Sequence, residues 1–317
     1  MSAMLRFLPT LILMAGLTAC HTEAPPQGTD NAAPPETGDD GNLQGQVYER
    51  AVVYITSVGD STLIVPWQFS ARTRPSGVVR TARAWLARGG EWEPFLQESW
   101  ETPPTRVPWR LHPRGRLRLV VGEGGALETL LFEEGRRRLE VEIGGTRTEW
   151  SGSQGATFTI SDGAAVLSER RLPGLVLDLA RAHRGESAPA GDWIFLISGD
   201  SVQVVMSGTN EPAATVGTLE GWARLQDSRE ILWRDINFSW AETRAFEEAR
   251  REVPVRWRLT TSDGEMSVDL EVKTAHIEAG EGEGPLLPVD ALLEVAGSLR
   301  IGEAEFSVRG LVRHGQR

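Results

Sequence analysis

The sequence predicts an all-β protein, because three features of its folded part are typical of antiparallel sheets. From Val47 onward, apolar and polar residues alternate with a period of two over most of the chain. Turn-forming pairs such as Asp263-Gly264 separate the alternating runs. One segment alone, Ala241 to Glu252, has the composition of a helix. We therefore expect two tandem antiparallel β-barrels or sandwiches with one short helix.

The N-terminus has the three parts of an export signal. Arg6 and the free amine supply positive charge, and the apolar run from Phe7 to Leu17 follows. That run is too short to cross a hydrocarbon core, which needs about twenty helical residues. Residues 1–19 are therefore predicted to be a cleavable signal peptide.

The signal ends in Leu17-Thr18-Ala19-Cys20, which resembles the lipobox of bacterial lipoproteins. The resemblance implies cleavage before Cys20 and acylation of its sulfur and of the new amine. Several acyl chains, at about 0.8 kcal/mol for each buried methylene, would anchor the protein to a membrane firmly. His21 stands where aspartate tends to retain lipoproteins of this kind in the inner membrane. We therefore expect a cell-envelope protein on the periplasmic face of the outer membrane, if the cell has two membranes.

The rest of the chain divides into a tether and two β regions. Residues 20–46 are rich in Pro, Gly, Ala, Asp and Thr and show no periodicity, which predicts a disordered linker. The alternation breaks again at 183–191. We predict one β domain at 47–185 and a second at 190–317, each with about eight strands.

The strand predictions rest on runs in which every second residue is apolar. The clearest runs are Leu117/Leu119/Val121, Leu139/Val141/Ile143, Val255/Trp257/Leu259, Val268/Leu270/Val272 and Leu293/Val295/Gly297/Leu299/Ile301. Hairpin turns are predicted at Gly144-Gly145, Asp162-Gly163 and Asp263-Gly264. The helix at 241–252 is predicted because Ala245, Phe246 and Ala249 would share one side and Pro254 would end it.

Composition excludes several classes of function. The net charge is −11 and no basic stripe is present, so we expect no nucleic-acid partner. Cys20 is the only cysteine, which excludes an intramolecular disulfide. None of the five histidines lies three or four residues from another, so no metal site and no cofactor are predicted.

Tryptophan is the unusual residue of this chain, with eleven copies against two tyrosines. Trp193, Trp233, Trp240 and Trp257 fall in or beside strands of the second region and are our candidates for lining a ligand pocket. The alternatives are that they simply fill the core or that exposed tryptophans stack on sugars. Asp235, between Trp233 and Ile236, is the carboxylate we expect to face the apolar interior, where burial would raise its pKa and make it a weak candidate proton donor.

The second region resembles the lipocalin-like proteins related to carotenoid hydratases (AttH-type). The resemblance is carried by Trp233–Trp240, Val253–Leu259, Val295-Ala296-Gly297 and Gly310. It implies a pair of lipocalin-like barrels and an apolar, lipid-like ligand. The chain differs at residues 311–314, where such proteins tend to show a Glu and a Gly-Tyr pair. We therefore transfer no catalytic residue.

Three functions remain open at this point. The first is a lipid-anchored envelope protein whose β domains bind a hydrophobic small molecule. The second is a hydratase-like or isomerase-like enzyme acting on an unsaturated lipid through a buried acid. The third is a structural or assembly lipoprotein with solid β domains, since close packing would leave no room for a ligand.

Overall fold

A computed structural model describes residues 45–58, 61–122, 126–152, 155–167, 169–184, 192–208 and 216–316. The predicted signal peptide, Cys20 and nearly all of the predicted linker lie outside these residues. The described chain is all-β, as predicted. It contains no helix that is long and apolar enough to span a bilayer.

The first sheet is formed by nine antiparallel strands in the order β4-β3-β2-β1-β9-β8-β7-β6-β5. Its strands are β1 (Gln46–Val58), β2 (Ser61–Arg74), β3 (Gly77–Arg88), β4 (Glu91–Thr102), β5 (Leu117–Val121), β6 (Leu127–Glu134), β7 (Arg137–Ser151), β8 (Thr157–Leu167) and β9 (Arg170–Arg184). The sheet curves until its ends approach each other without pairing. Phe95 of β4 packs edge-on against Phe132 of β6, with ring centroids 5.1 Å apart.

The second sheet is a closed barrel of eight antiparallel strands in chain order. Its strands are β10 (Trp193–Ser198), β11 (Val202–Ser207), β12 (Val216–Leu225), β13 (Glu230–Phe246), β14 (Arg251–Thr261), β15 (Met266–Ala279), β16 (Val289–Ile301) and β17 (Ala304–Gln316). β17 closes the barrel by pairing with β10. Gly310 permits this closure, because a Cβ there would lie 1.9 Å from the carbonyl oxygen of Phe195.

Together the sheets form a tandem of lipocalin-like β units, one nearly closed and one closed. The chain passes from the first to the second between Arg184 and Trp193. Most residues of the predicted break in alternation lie outside the described residues. The division into two independently folding domains stays a prediction.

The predicted helix at 241–252 is wrong. β13 continues to Phe246, a turn covers Glu247 to Arg250, and β14 begins at Arg251. Thr243 to Phe246 pair with Arg251 to Pro254, so the segment is a hairpin. Pairing across strands outweighed helix propensity, which is a weak preference that tertiary contacts override.

Two of the three predicted turns are also wrong. Asp263-Gly264 does lie in the turn between β14 and β15, where Gly264 has φ +73. Gly144-Gly145 instead lies inside β7 at a bulge, and Asp162-Gly163 lies inside β8. A Cβ at Gly163 would come within 2.5 Å of the Val176 side chain, so this glycine permits close packing rather than a turn.

Several strands are buried on both faces because the two sheets pack against each other. On β1, Val52 and Tyr54 face the interior of the first sheet, whereas Val53 and Ile55 join an apolar cluster shared with the barrel. The barrel contributes Phe195 and Leu311 among others to that cluster. The contact extends to aromatic rings, since Trp150 stacks on Trp222 with centroids 6.5 Å apart.

Strand β4 forms one unpaired edge of the first sheet. Pro94 lies in this strand beside a bulge opposite Ala84 and Trp85. Glu91, Glu93 and Pro94 are exposed along the strand. These are the features by which natural edge strands are made unsuitable for further pairing.

Candidate functional site

The structure separates the four predicted pocket tryptophans. Trp193 faces away from the barrel interior and belongs to the cluster between the sheets. Trp233 and Trp257 are buried in the barrel core, and Trp240 is half-buried against them. Trp240 and Trp257 pack against each other and against His314, and the buried Nε1 of each indole has no hydrogen-bond partner among the described residues. That they bind a ligand stays a prediction.

Asp235 is not buried, contrary to expectation. It lies on the exposed face of β13, and the hydroxyl of Ser262 donates a hydrogen bond to it. The alternation of β13 explains the error, because Trp233 is buried, Arg234 and Asp235 are both exposed, and Ile236 is buried. A register shift between β12 and β13 falls at this point and places two consecutive residues on the wet side.

One end of the barrel holds a buried polar network that the sequence did not indicate. His314 Nδ1 lies 2.9 Å from Asp192 Oδ2, and the backbone N–H of Gly315 donates to Asp192 Oδ1 at 3.0 Å. Gln316 Nε2 lies 2.9 Å from His314 Nε2. These bonds join the end of β17 to the residue before β10. The network therefore closes the barrel end, and its polar groups satisfy one another.

A cleft lies at one end of the first sheet's interior and a small pocket at the other. At one end, near the last residues of β3 and the turns before β7 and β9, lies a cleft of about 580 Å³. Its walls are Leu86, Phe95, Phe132, Leu139 and Leu167, all from the inward face of the sheet.

Three consecutive arginines lie at the mouth of this cleft. Arg136, Arg137 and Arg138 all line it, and Arg137 pairs with Glu93 of the edge strand β4. The guanidinium of Arg137 also lies 5.8 Å from the Phe132 ring centroid, within the range of a cation–π contact. The cleft is therefore apolar inside with a charged rim, which is the usual design of a small-molecule site.

At the opposite end of the same sheet, a narrow pocket of about 30 Å³ lies under the segment that joins β4 to β5. Aromatic side chains form its walls: Tyr48, Phe69, Trp100 and Trp109. Trp109 comes from the connecting segment and packs on Tyr48 with centroids 5.6 Å apart. This pocket will be called the Arg80 pocket, after the charged residue that lines it.

Arg80 is 4% exposed, although it carries a full charge. Its Nη1 donates to the carbonyl oxygens of Pro108 at 2.8 Å and Arg110 at 2.9 Å, and its Nε donates to Thr102 Oγ1 at 3.1 Å. Its Nη2 is buried and has no hydrogen-bond partner among the described residues. No carboxylate pairs with Arg80 in the described part of the chain, and burial lowers the pKa of its guanidinium.

A neighbouring arginine, Arg50, differs from Arg80 because a carboxylate balances its charge. Arg50 also lines the Arg80 pocket and lies 2.8 Å, through Nε, from Asp178 Oδ1. Burial lowers the pKa of Arg50, but the charge and hydrogen bond of Asp178 outweigh that effect and raise it overall. Arg80 has no such partner. His112, on the same pocket wall, has its pKa lowered by burial and by the positive charges of Arg80 and Arg110.

A third cavity, of about 160 Å³, lies between the sheets and is lined by charges that balance one another. Glu49 lies 2.7 Å from Arg181, and Arg313 lies 3.3 Å from Asp290. Burial raises the pKa of Glu49, but Arg181, His183 and Arg313 together hold it well below its ordinary value. Such a groove joins the two sheets and is poorly suited to an apolar molecule.

The sequence did not single out Arg80, Trp100 or Trp109. One signal was present, because Val78, Arg80 and Ala82 share a face of β3 and the two apolar residues are buried. An arginine on the apolar face of an alternating strand marks a buried charge. Trp109 gave no signal, since it lies in an irregular segment whose placement depends on distant contacts.

No protein-family model matches this chain, and no curated protein matches it. Solved structures do match its fold. A protein described as a "putative AttH" from Nitrosomonas europaea is 12% identical, with a TM-score of 0.60 over 89% of this chain and 98% of that one. Kievitone hydratase from Nectria haematococca is 15% identical, with a TM-score of 0.52 over 85% of this chain and 88% of that one. CghA is 13% identical, with a TM-score of 0.50 over 85% and 87%. These likenesses show the tandem lipocalin-like fold.

Proposed function

We propose that this chain binds a hydrophobic small molecule in the open end of its first sheet and is held at the cell envelope by lipid on Cys20. The observation that carries the binding proposal is the cleft of about 580 Å³ walled by Leu86, Phe95 and Phe132. Pockets for small molecules are usually concave, mainly apolar and about 300–1,000 Å³ in volume. The fold shared with kievitone hydratase is consistent with an apolar ligand.

The first sheet, rather than the barrel, is the proposed binding unit because one end of its interior opens into the cleft. In the barrel, Trp257, Leu259 and Leu270 lie fully buried in one continuous apolar core. A ligand there would have to displace packed side chains, which costs binding free energy. In the first sheet, Leu86 and Leu167 are only partly buried where they line the cleft, so a ligand there would cover apolar surface that water now contacts.

Uptake of the neutral fluorescent probe N-phenyl-1-naphthylamine tests the binding proposal. We expect saturable fluorescence enhancement with the wild-type protein. Leu86→Glu places a charge on the cleft wall and should weaken binding about tenfold or more, since burying a leucine-sized surface contributes about 1.5–3 kcal/mol. Leu286→Glu makes the same change at an exposed site and is the matched control.

Two outcomes would reject this proposal. If the wild type takes up no probe, the first sheet is not a binding unit, and the structural or assembly function is favoured. If Leu86→Glu and Leu286→Glu both bind like the wild type, the probe occupies another site.

The anchoring proposal rests on the lipobox resemblance alone and needs its own test. Expression of the full chain in a two-membrane bacterium, with an alkyne-labelled palmitate, should label the wild type and place it in the outer-membrane fraction. Cys20→Ser should abolish the label, whereas His21→Ala should keep it. His21→Asp should shift labelled protein to the inner membrane. Equal labelling of wild type and Cys20→Ser would contradict acylation at this cysteine.

A further inference from the structure

The Arg80 pocket contains a buried positive charge for which the described residues supply no counter-charge. A buried ion without a partner is costly, and native structures almost always pair it. Two of the Arg80 nitrogens donate hydrogen bonds to uncharged acceptors, namely two backbone carbonyls and one hydroxyl. These bonds satisfy hydrogen-bonding capacity but leave the net charge in place. Nη2 is the one guanidinium nitrogen without an acceptor among the described residues, and it is itself buried. An acceptor from outside the chain would therefore reach it only if the covering segment moved.

The surroundings of Nη2 indicate which kind of acceptor fits. One guanidinium balances one negative charge, so a monoanion is favoured over a dianionic phosphate, whose second charge would remain buried among aromatic rings. Since Nε and Nη1 are already occupied, the acceptor must approach Nη2 end-on. The walls formed by Tyr48, Trp100 and Trp109 are apolar and aromatic, which favours a carbon skeleton attached to the anion.

We propose that the Arg80 pocket binds an organic carboxylate, with one carboxylate oxygen accepting a charge-assisted hydrogen bond from Arg80 Nη2 and the apolar part of the acid lying against Trp100 and Trp109. The enclosed volume of about 30 Å³ holds only a group of about the size of the carboxylate head, so the chain of the acid would lie outside it, at the mouth of the pocket. This site is separate from the proposed cleft, which lies at the opposite end of the first sheet. The two sites can therefore be tested independently.

The segment over the pocket carries a tryptophan whose fluorescence should change when a ligand binds. Arg80 holds this segment down through the carbonyls of Pro108 and Arg110. Trp109, from the same segment, also lines the pocket. Binding should therefore change tryptophan fluorescence, which gives a direct readout.

The test compares hexanoate with hexan-1-ol on the wild-type protein, by calorimetry and tryptophan fluorescence. The two molecules have the same chain and differ in charge. We expect hexanoate to bind at least tenfold more tightly than hexan-1-ol, and Arg80→Gln to weaken hexanoate by at least tenfold. Arg74→Gln, on the exposed end of β2, should leave both affinities unchanged. Chloride at the same concentration should not compete fully, because it makes no apolar contact.

Several results would overturn the proposal. Equal affinities for hexanoate and hexan-1-ol in the wild type would show that Arg80 recognises no charge, and this comparison needs no mutant to fold. Absence of binding by either molecule would show that Arg80 serves only to hold the segment between β4 and β5 in place. Full competition by chloride would show a simple anion site instead. Unchanged uptake of N-phenyl-1-naphthylamine by Arg80→Gln would confirm that the variant is folded and that the cleft is a separate site.

Discussion

The two sheets of this protein are both antiparallel, but they differ in strand number, in closure and in how they use their interiors. The barrel pairs β17 with β10, closes completely, and fills its centre with tryptophan and aliphatic side chains. The first sheet stops short of closure, and its ends keep a cleft and the Arg80 pocket. Alternation therefore determines which side chains point inward, whereas closure and side-chain size determine whether they leave space. In this molecule the closed unit acts as a scaffold and the open unit carries the candidate sites.

Removing one tryptophan side chain from each unit should give the largest difference in unfolding free energy between the two units. Trp257→Ala would leave a large cavity in the packed barrel and should cost about 3–5 kcal/mol of unfolding free energy. Trp109→Ala removes a half-buried ring from a pocket wall and should cost about 1 kcal/mol. Urea denaturation followed by circular dichroism measures both. Equal losses would contradict the division into a packed scaffold and an open binding unit.

The polar network at the barrel end should have the next largest effect. Asp192→Ala removes the acceptor for the buried His314 ring and for the half-buried Gly315 N–H, which should cost about 2 kcal/mol. Asp192→Asn keeps one oxygen acceptor and should cost less. The same denaturation experiment measures both variants. If the alanine variant is as stable as the wild type, the barrel does not depend on this network for closure.

The charged groove between the sheets should make the stability of their contact depend on pH. The folded pKa of Glu49 is held below its ordinary value, so its contribution is fully present above about pH 5 and is lost as the pH falls through the folded pKa. The wild type should therefore lose more stability on acidification than Glu49→Gln does. Denaturation series at several pH values between about 6 and 3 measure the difference. Parallel curves for the two proteins would show that Glu49 is not coupled to folding.

The smallest effect is expected at Asp235. It is exposed and bonds only to Ser262 among the described contacts of its side chain, so Asp235→Asn should change stability by less than about 0.5 kcal/mol. The same variant tests the enzymatic alternative. If turnover of an unsaturated lipid is detected in the wild type and disappears in Asp235→Asn, the hydratase-like function gains support that the geometry does not give it.

Sequence reasoning predicted the fold class because alternation is a local signal that the sheets preserve. Val268, Leu270 and Met266 lie buried on one face of β15, as the pattern requires. The errors arose where one residue type serves two purposes. Glycine at 163 permits close strand packing as readily as a turn, and the good helix formers at 241–252 are equally accommodated in a hairpin.

The candidate sites were harder to predict because they depend on contacts between distant segments. Tryptophan content drew attention to the second region, yet its indoles fill the barrel core or the contact between the sheets. The cleft and the Arg80 pocket exist because the first sheet does not close, and no local pattern encodes that. An inward-facing arginine such as Arg80 is the one local sign that could have been used.

The edge strand β4 has a consequence for how copies of the protein behave together. An incompletely closed sheet offers free backbone donors and acceptors to any neighbour with a similar strand. Pro94 has no backbone N–H to donate, a bulge lies beside it, and the exposed Glu91 adds a charge that repels an identical edge. At β4, therefore, the open sheet has an edge that is poorly suited to pairing with a second copy, whereas the other edge, β5, exposes Val120 and Val121.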